Sequence, residues 1–304
     1  MVDVLIGFAV PVSGSWATTD NVVRVAERAE ELGYHSLWTF QRLLSPPDGS
    51  WGEMYRSVLD PIATTGFLAA RTSRVRLGIA VLNLPFFAPP LLAKQLATLD
   101  VLSGGRLDAG LGIGWAEEEY IAVGADQRGR GRRAEEYLPL LRRFWSDGVV
   151  EHEGEFYRVP PIRMDPKPVQ AGGPPILLGA TAPAALRRAG RLCDGWVSSS
   201  RADLPSIGAS IAIVREAARE AGRDVDALRF VCRGAVRVRE TTHGDRRTLT
   251  GTLDQIRGDF AMLAEQGITE LFVDLNFDPE IGSPDADPAE SMRRAHDALT
   301  AFAP

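Results

Sequence analysis

Two cysteines in 304 residues, Cys193 and Cys232, are too few for a disulfide scaffold and too far apart for a CxxC metal knuckle. A reducing compartment fits this usage, and we expect a cytoplasmic protein. Histidine is scarce as well. His35, His152, His243 and His296 share no HxxxH or His/Asp spacing, so no metal site is expected. A block of positive charge is missing. The 34 Lys and Arg are outnumbered by 40 Asp and Glu, and the net charge of −6 is spread along the chain. That argues against nucleic acid as a partner, because phosphate binding needs a basic surface. No apolar run reaches the length of a membrane span. The start, Met1-Val2-Asp3, has neither the charged nor the apolar region of a signal peptide. Short repeats and low-complexity segments are also lacking.

What is present is a large apolar fraction, 45% of residues, in a chain long enough for one α/β barrel or two mid-sized domains. Strand and helix signals alternate. Strands are predicted over 4–10, 36–39, 75–82, 106–113, 176–178, 195–198, 228–238 and 270–275. Between them run helices with recognisable starts: Thr18-Thr19-Asp20, Asp60-Pro61, Pro89-Pro90 and Pro183. Eight strands in βα order favour a closed (β/α)8 TIM barrel over an open doubly wound sheet. A hairpin signal at Val149–Val159, centred on Gly154, interrupts the pattern and reads as an insertion around 148–175. The long stretch Gln41–Tyr55 reads as a loop over the barrel mouth.

The most informative run is Ser103-Gly104-Gly105-Arg106-Leu107-Asp108-Ala109-Gly110-Leu111-Gly112-Ile113-Gly114-Trp115. It gives a helix stop, a buried strand and a glycine-rich exit. Gly112 and Gly114 lack Cβ atoms, so the main chain there is open to a bulky planar group. In a barrel this exit is at the C-terminal mouth, where active sites sit. At Gly179-Ala180-Thr181-Ala182, small residues and a hydroxyl precede a helix N-terminus, an arrangement that suits a phosphate.

Three further segments complete a pattern in sequence order: Ala69-Ala70-Arg71-Thr72-Ser73-Arg74-Val75-Arg76-Leu77-Gly78, Pro89–Asp100, and Leu186-Arg187-Arg188-Ala189-Gly190-Arg191-Leu192-Cys193-Asp194-Gly195-Trp196. Taken together, the set resembles the luciferase-like monooxygenase superfamily, and within it the branch of F420-dependent oxidoreductases. The resemblance covers nearly the whole chain. It implies a luciferase-like barrel with one cofactor across the mouth, F420 or alternatively FMN. By the same resemblance, a bulge at Ile79-Ala80-Val81, with a cis bond at Ile79–Ala80, would prop the ring, and Ile113, Gly114 and Trp115 would line its edge. Gly179, Ala180, Thr181 and Ala182 would hold the phosphate. Arg201, with the basic cluster Arg128, Arg130, Arg132 and Arg133, would meet its charges. The family often forms homodimers, here through residues 60–102.

The chain departs from the family's sugar-phosphate and alcohol dehydrogenases. Their Asp-His after strand two corresponds to Gln41 and Arg42, and their strand-four Glu to Trp115. None of these three is an acid or base near neutral pH. Gln41 and Arg42 are therefore candidates for polarising or orienting a substrate, not for moving its proton. Ser13, Trp16, Asn83, Phe86, Phe87, Glu118, Asp274 and Asn276 are further candidates near the mouth. The expected activity is hydride transfer between F420 and a small organic substrate. The alternatives are an FMN-dependent monooxygenase fed by a separate flavin reductase, and a cofactor-binding protein without turnover.

Overall fold

Local signals start and stop the elements. Thr18 Oγ1 accepts the Asn21 N–H at 3.2 Å and opens α1 (Thr19–Glu31). Asp60 accepts the Ala63 N–H at 2.8 Å and opens α2 (Pro61–Arg71). α3 (Pro89–Ser103) stops at Gly104, whose φ of 66° is a left-handed cap. The computed structural model describes residues 4–240 and 246–304, so His243 lies outside the described residues.

Eight parallel strands follow: β1 (Leu5–Ala9), β2 (Ser36–Thr39), β3 (Arg76–Asn83), β4 (Leu107–Gly112), β5 (Ile176–Gly179), β6 (Gly195–Val197), β7 (Arg229–Ala235) and β8 (Glu270–Asp274). They close in the order β1-β8-β7-β6-β5-β4-β3-β2, a TIM barrel as expected. Every residue of β2 and of β4 is buried, because parallel strands are covered on both faces. The remaining main helices are α4 (Glu117–Ala122), α5 (Arg130–Ser146), α6 (Pro183–Leu192), α7 (Ile207–Glu220), α8 (Leu253–Glu265) and α9 (Pro288–Ala301). Among the described residues, no helix is long and apolar enough to cross a membrane.

Ala9, Trp38, Ala80, Leu177, Val197, Val231 and Phe272 pack together as a cluster drawn from seven of the barrel strands. The Trp38 and Phe272 rings stack there, centroids 4.8 Å apart. Below it a buried ion network joins the strand N-termini. Asp108 accepts from Arg76 and Arg229, and Glu270 accepts from Arg229, Ser36 and Trp38.

Two features differ from the sequence-based expectation, and the expected hairpin is present. The β3–β4 register shifts between Ile79 and Leu82, but the cis peptide is Ala80–Val81, not Ile79–Ala80. Ile79 still pairs with Ala109, so the ladder stays regular to that residue and the irregular peptide falls where pairing is lost. The seventh strand breaks at Val236, whose N–H turns to the Asp274 carbonyl. Arg237–Val238 then pairs with Thr250–Gly251 outside the barrel. The inserted hairpin, Val150–Glu153 against Arg158–Ile162, is tied to α5 through Glu136. That carboxylate binds His152 and accepts the N–H groups of Phe156 and Tyr157.

Gly110 is where β3 and β4 approach most closely. A Cβ there would lie 1.9 Å from the Ile79 carbonyl oxygen, which belongs to backbone and cannot swing away. We expect Gly110→Ala to lower stability by at least about 3 kcal/mol, the upper range for overpacking. Thermal unfolding checks this, and an unchanged midpoint would refute it.

Candidate functional site

The C-terminal ends of β2 to β7 and the turn after β8 surround a cavity of about 510 Å³. That is within the usual range for small-molecule and cofactor sites. Gln41, Arg42, Ala80, Val81, Ile113, Gly114, Trp115, Gly179, Ala180, Thr181, Ala182 and Arg201 all line it. Ile79 does not. It is fully buried in the core beneath, because its peptide still belongs to the regular ladder.

The β3 bulge shapes one wall. Val81 turns its side chain between β4 and β5. A Cβ on Gly112 would lie 2.6 Å from Val81 Cγ2, and one on Gly179 would lie 2.9 Å from Val81 Cγ1. A Cβ on Gly112 would therefore meet Val81, while Gly112 itself still lines the cavity as the sequence suggested. Gly114 keeps a left-handed φ of 72°. The Tyr120 hydroxyl donates to the preceding Ile113 carbonyl and fixes the exit of β4.

Beyond β5, the chain enters α6 with its first N–H groups open. Ala182 precedes the helix without a side-chain cap. Among the described residues, nothing accepts the N–H of Thr181, Ala182 or Ala184. Arg130 and Arg201 line the same cavity, and neither side chain has a carboxylate partner among the described residues. Arg201 stacks over Trp115 at 5.7 Å. The rest of the basic cluster is engaged elsewhere: Arg128 with Asp126, Arg132 with Glu155, and Arg133 with the Asp126 carbonyl.

Gln41 and Arg42 are both held. Gln41 Oε1 accepts the Asn83 N–H at 2.8 Å, which leaves its amide nitrogen toward the cavity. Arg42 Nη1 donates to Glu119 Oε2 at 2.9 Å, and the Trp51, Tyr55 and Trp115 rings enclose its guanidinium at 4.6–5.1 Å. Glu119 Oε1 also accepts the N–H groups of Leu43 and Leu44. Arg42 thus ties the mouth loop to α4. Glu118, the acid singled out in the sequence, is exposed, whereas Glu119 is buried.

The sequence reading missed Arg233. This β7 residue is buried, lines the cavity and pairs with Asp274. Its one sequence signal is a cation inside an apolar strand. Trp16, Ser13 and Asn276 prove to be buried supports, with Asn276 Oδ1 accepting the Val12 and Ser13 N–H groups. Asn83 does line the cavity, whereas Phe86 and Phe87 do not.

Comparison with known proteins agrees with this architecture. The model of the luciferase-like monooxygenase family matches residues 2–258. An uncharacterized protein of Mycobacterium tuberculosis strain H37Rv is 34% identical over 212 residues, 66% of this chain and 72% of that one. The oxygenase component of a flavin-dependent trigonelline monooxygenase from Acinetobacter baylyi is 32% identical, over 54% of this chain and 44% of its own length. The coenzyme F420-dependent tetrahydromethanopterin reductase of Methanopyrus kandleri shares the fold, with a TM-score of 0.77 and 16% identity over 99% of this chain and 98% of that one. The chain belongs to the luciferase-like monooxygenase family of oxidoreductases.

Proposed function

We propose that this cavity binds F420 and that the protein is an F420-dependent oxidoreductase acting on a small organic substrate. The observation that carries the reading is the meeting of three open N–H groups at the start of α6 with the carboxylate-free side chains of Arg130 and Arg201. Helix N-termini and arginines are the usual holders of phosphate. F420 has a phosphodiester followed by several carboxylates. Arg130, at the start of α5, stands where a carboxylate of such a tail can meet it. The flat ring fits against Ala80, Val81, Ile113 and Gly114.

When bound, F420 supplies hydride exchange. This chain's residues bind, orient and exclude water. Among the described residues, the lining holds no carboxylate, imidazole, thiol or amine. Arg42 and Trp115 stand at the positions of the dehydrogenases' acid–base pair, and Arg42 is committed to Glu119. An alcohol oxidation needs a base for the hydroxyl proton. Reduction of an activated C=C, C=N or nitro group needs a proton that solvent can deliver after the hydride adds, so it is the direction we favour. A homodimer through residues 60–102 belongs to the same reading.

The second reading is a reduced-FMN monooxygenase served by a separate reductase. It is favoured by the 32% identity to the flavin-dependent trigonelline monooxygenase. Titration with F420 and FMN, followed by absorbance and fluorescence, separates the two. We expect F420 to bind and FMN not to. FMN binding alone would establish the second reading, and binding of neither would overturn both. We further expect Arg130→Glu/Arg201→Glu to weaken cofactor binding by at least about tenfold, or about 1.4 kcal/mol, with an unchanged unfolding midpoint. Unchanged affinity would remove these arginines from the site.

A further inference from the structure

The cavity has two halves. The ends of β3 to β6 form the half proposed for the cofactor. The other is walled by Phe40 and Gln41 after β2, Tyr55, Phe277 after β8, and Arg233. Arg233 is a cation set into this aromatic half. Its side chain is only 9% exposed, and the Phe40, Phe272 and Phe277 rings lie 5.0–5.5 Å from its guanidinium carbon.

Burying a cation is costly unless it is paired and hydrogen-bonded. Arg233 Nε forms an ion pair with Asp274 Oδ2 at 3.1 Å but no aligned hydrogen bond, and Nη2 donates to the Ala80 carbonyl at 2.8 Å. A guanidinium donates from all three nitrogens. Nη1 has no acceptor among the described residues, and the side chain borders the cavity. A donor left open in an apolar wall marks the place of a ligand's acceptor.

Charge selects the kind of acceptor. Asp274 is fully buried behind Arg233, and its Oδ1 is taken by the Asn276 N–H groups at 2.9–3.0 Å. The pair is neutral as a unit. Burial already raises the Asp274 carboxyl and lowers the Arg233 guanidinium, so this floor resists further charge. A carboxylate ligand would set two anions on one guanidinium between aromatic walls. A carbonyl oxygen brings the lone pairs without the charge.

We propose that Arg233 is the substrate-recognition residue, with Nη1 donating to the carbonyl oxygen of a flat, conjugated, uncharged substrate of the enone or aryl-ketone class. The inference rests on the cofactor reading for which half of the cavity the substrate takes.

The test is isotope-edited infrared spectroscopy of carbonyl-labelled benzylideneacetone bound to the purified protein, with and without FMN or F420. Cinnamate and the carbonyl-free 1-phenyl-1-butene serve as controls. On the wild type we expect the bound ketone's carbonyl stretch to move to lower frequency. Both controls should bind at least about tenfold more weakly, about 1.4 kcal/mol. Arg233→Met/Asp274→Asn removes both charges and strands no buried ion. It should abolish the frequency shift.

An unshifted stretch, no detectable ketone binding, or tighter binding of cinnamate on the wild type would overturn the proposal, whatever the variant's stability. So would a double variant that loses cofactor affinity while the ketone's shift persists, since Arg233 would then hold the ring. If neither cofactor binds the wild type, the functional reading falls, and the shift recorded without cofactor still decides the role of Arg233.

Discussion

Asp108→Asn is expected to lower the unfolding free energy by about 3 kcal/mol, the lower end of the range for breaking a buried ion pair. Asp108 sits at the N-terminal end of the barrel with no exposed surface. Arg229 bonds its two oxygens at 2.6 and 3.0 Å, and Arg76 bonds them at 2.6 and 2.9 Å. The amide would leave both guanidiniums facing a neutral group. Arg229 would keep Glu270 at 2.8 Å, which is why the lower figure applies. Burial by itself would raise the Asp108 carboxyl, but the bonds and charges of Arg76 and Arg229 overcome it and hold the group below the ordinary carboxylate value. A carboxyl lowered by folding stabilises the protein above its unfolded pKa of about 3.9 and loses that contribution as pH falls through the lower folded value. The wild type should therefore lose stability in acid more steeply than the variant. Urea unfolding between pH 3 and pH 7 checks both statements. Equal midpoints at pH 7, or parallel pH curves, would refute them. Cofactor affinity should not change, since the cavity is at the other end of the strands.

The elements were legible because their signals are local. Caps such as Thr18 and Asp60, the prolines that begin α2, α3 and α6, and the fully apolar strands act within a few residues. The cavity loops were legible for the same reason, since glycine-rich strand exits in a closed barrel end at one mouth. What could not be read depends on phase and register. Three consecutive glutamates look alike in sequence, and only the phase of α4 buries Glu119 and exposes Glu117 and Glu118. Val81 reaches Gly112 and Gly179 only because the bulge turns it between two strands. Arg233 reaches the Ala80 carbonyl, 153 positions away, only after the barrel closes. From the sequence alone it is one more arginine in a strand.

Arg42 is where these levels part, and its removal should show it. The sequence offers Arg42 as a group that polarises substrate. Its position makes it the anchor of the loop 41–55, with a side chain 6% exposed against a Glu119 side chain 1% exposed. Arg42→Met would leave that carboxylate without its cation and empty the space between Trp51, Tyr55 and Trp115. Breaking one side of such a pair costs roughly 3–5 kcal/mol. Here the cost falls mainly on the loop, whose other tie to Glu119 is the pair of Leu43 and Leu44 N–H bonds at 2.8 and 3.1 Å. We expect proteases to cut the variant between residues 43 and 52 under conditions that spare the wild type. Tryptophan emission should shift to the red as Trp51 and Trp115, whose centroids lie 4.9 Å apart, separate. Arg42→Met/Glu119→Gln should recover much of the protection. The amide oxygen it introduces still accepts the two leucine N–H groups, and no buried charge is left over. A group acting only on substrate would behave in the opposite way: the single variant would resist protease like the wild type, and the second substitution would restore nothing.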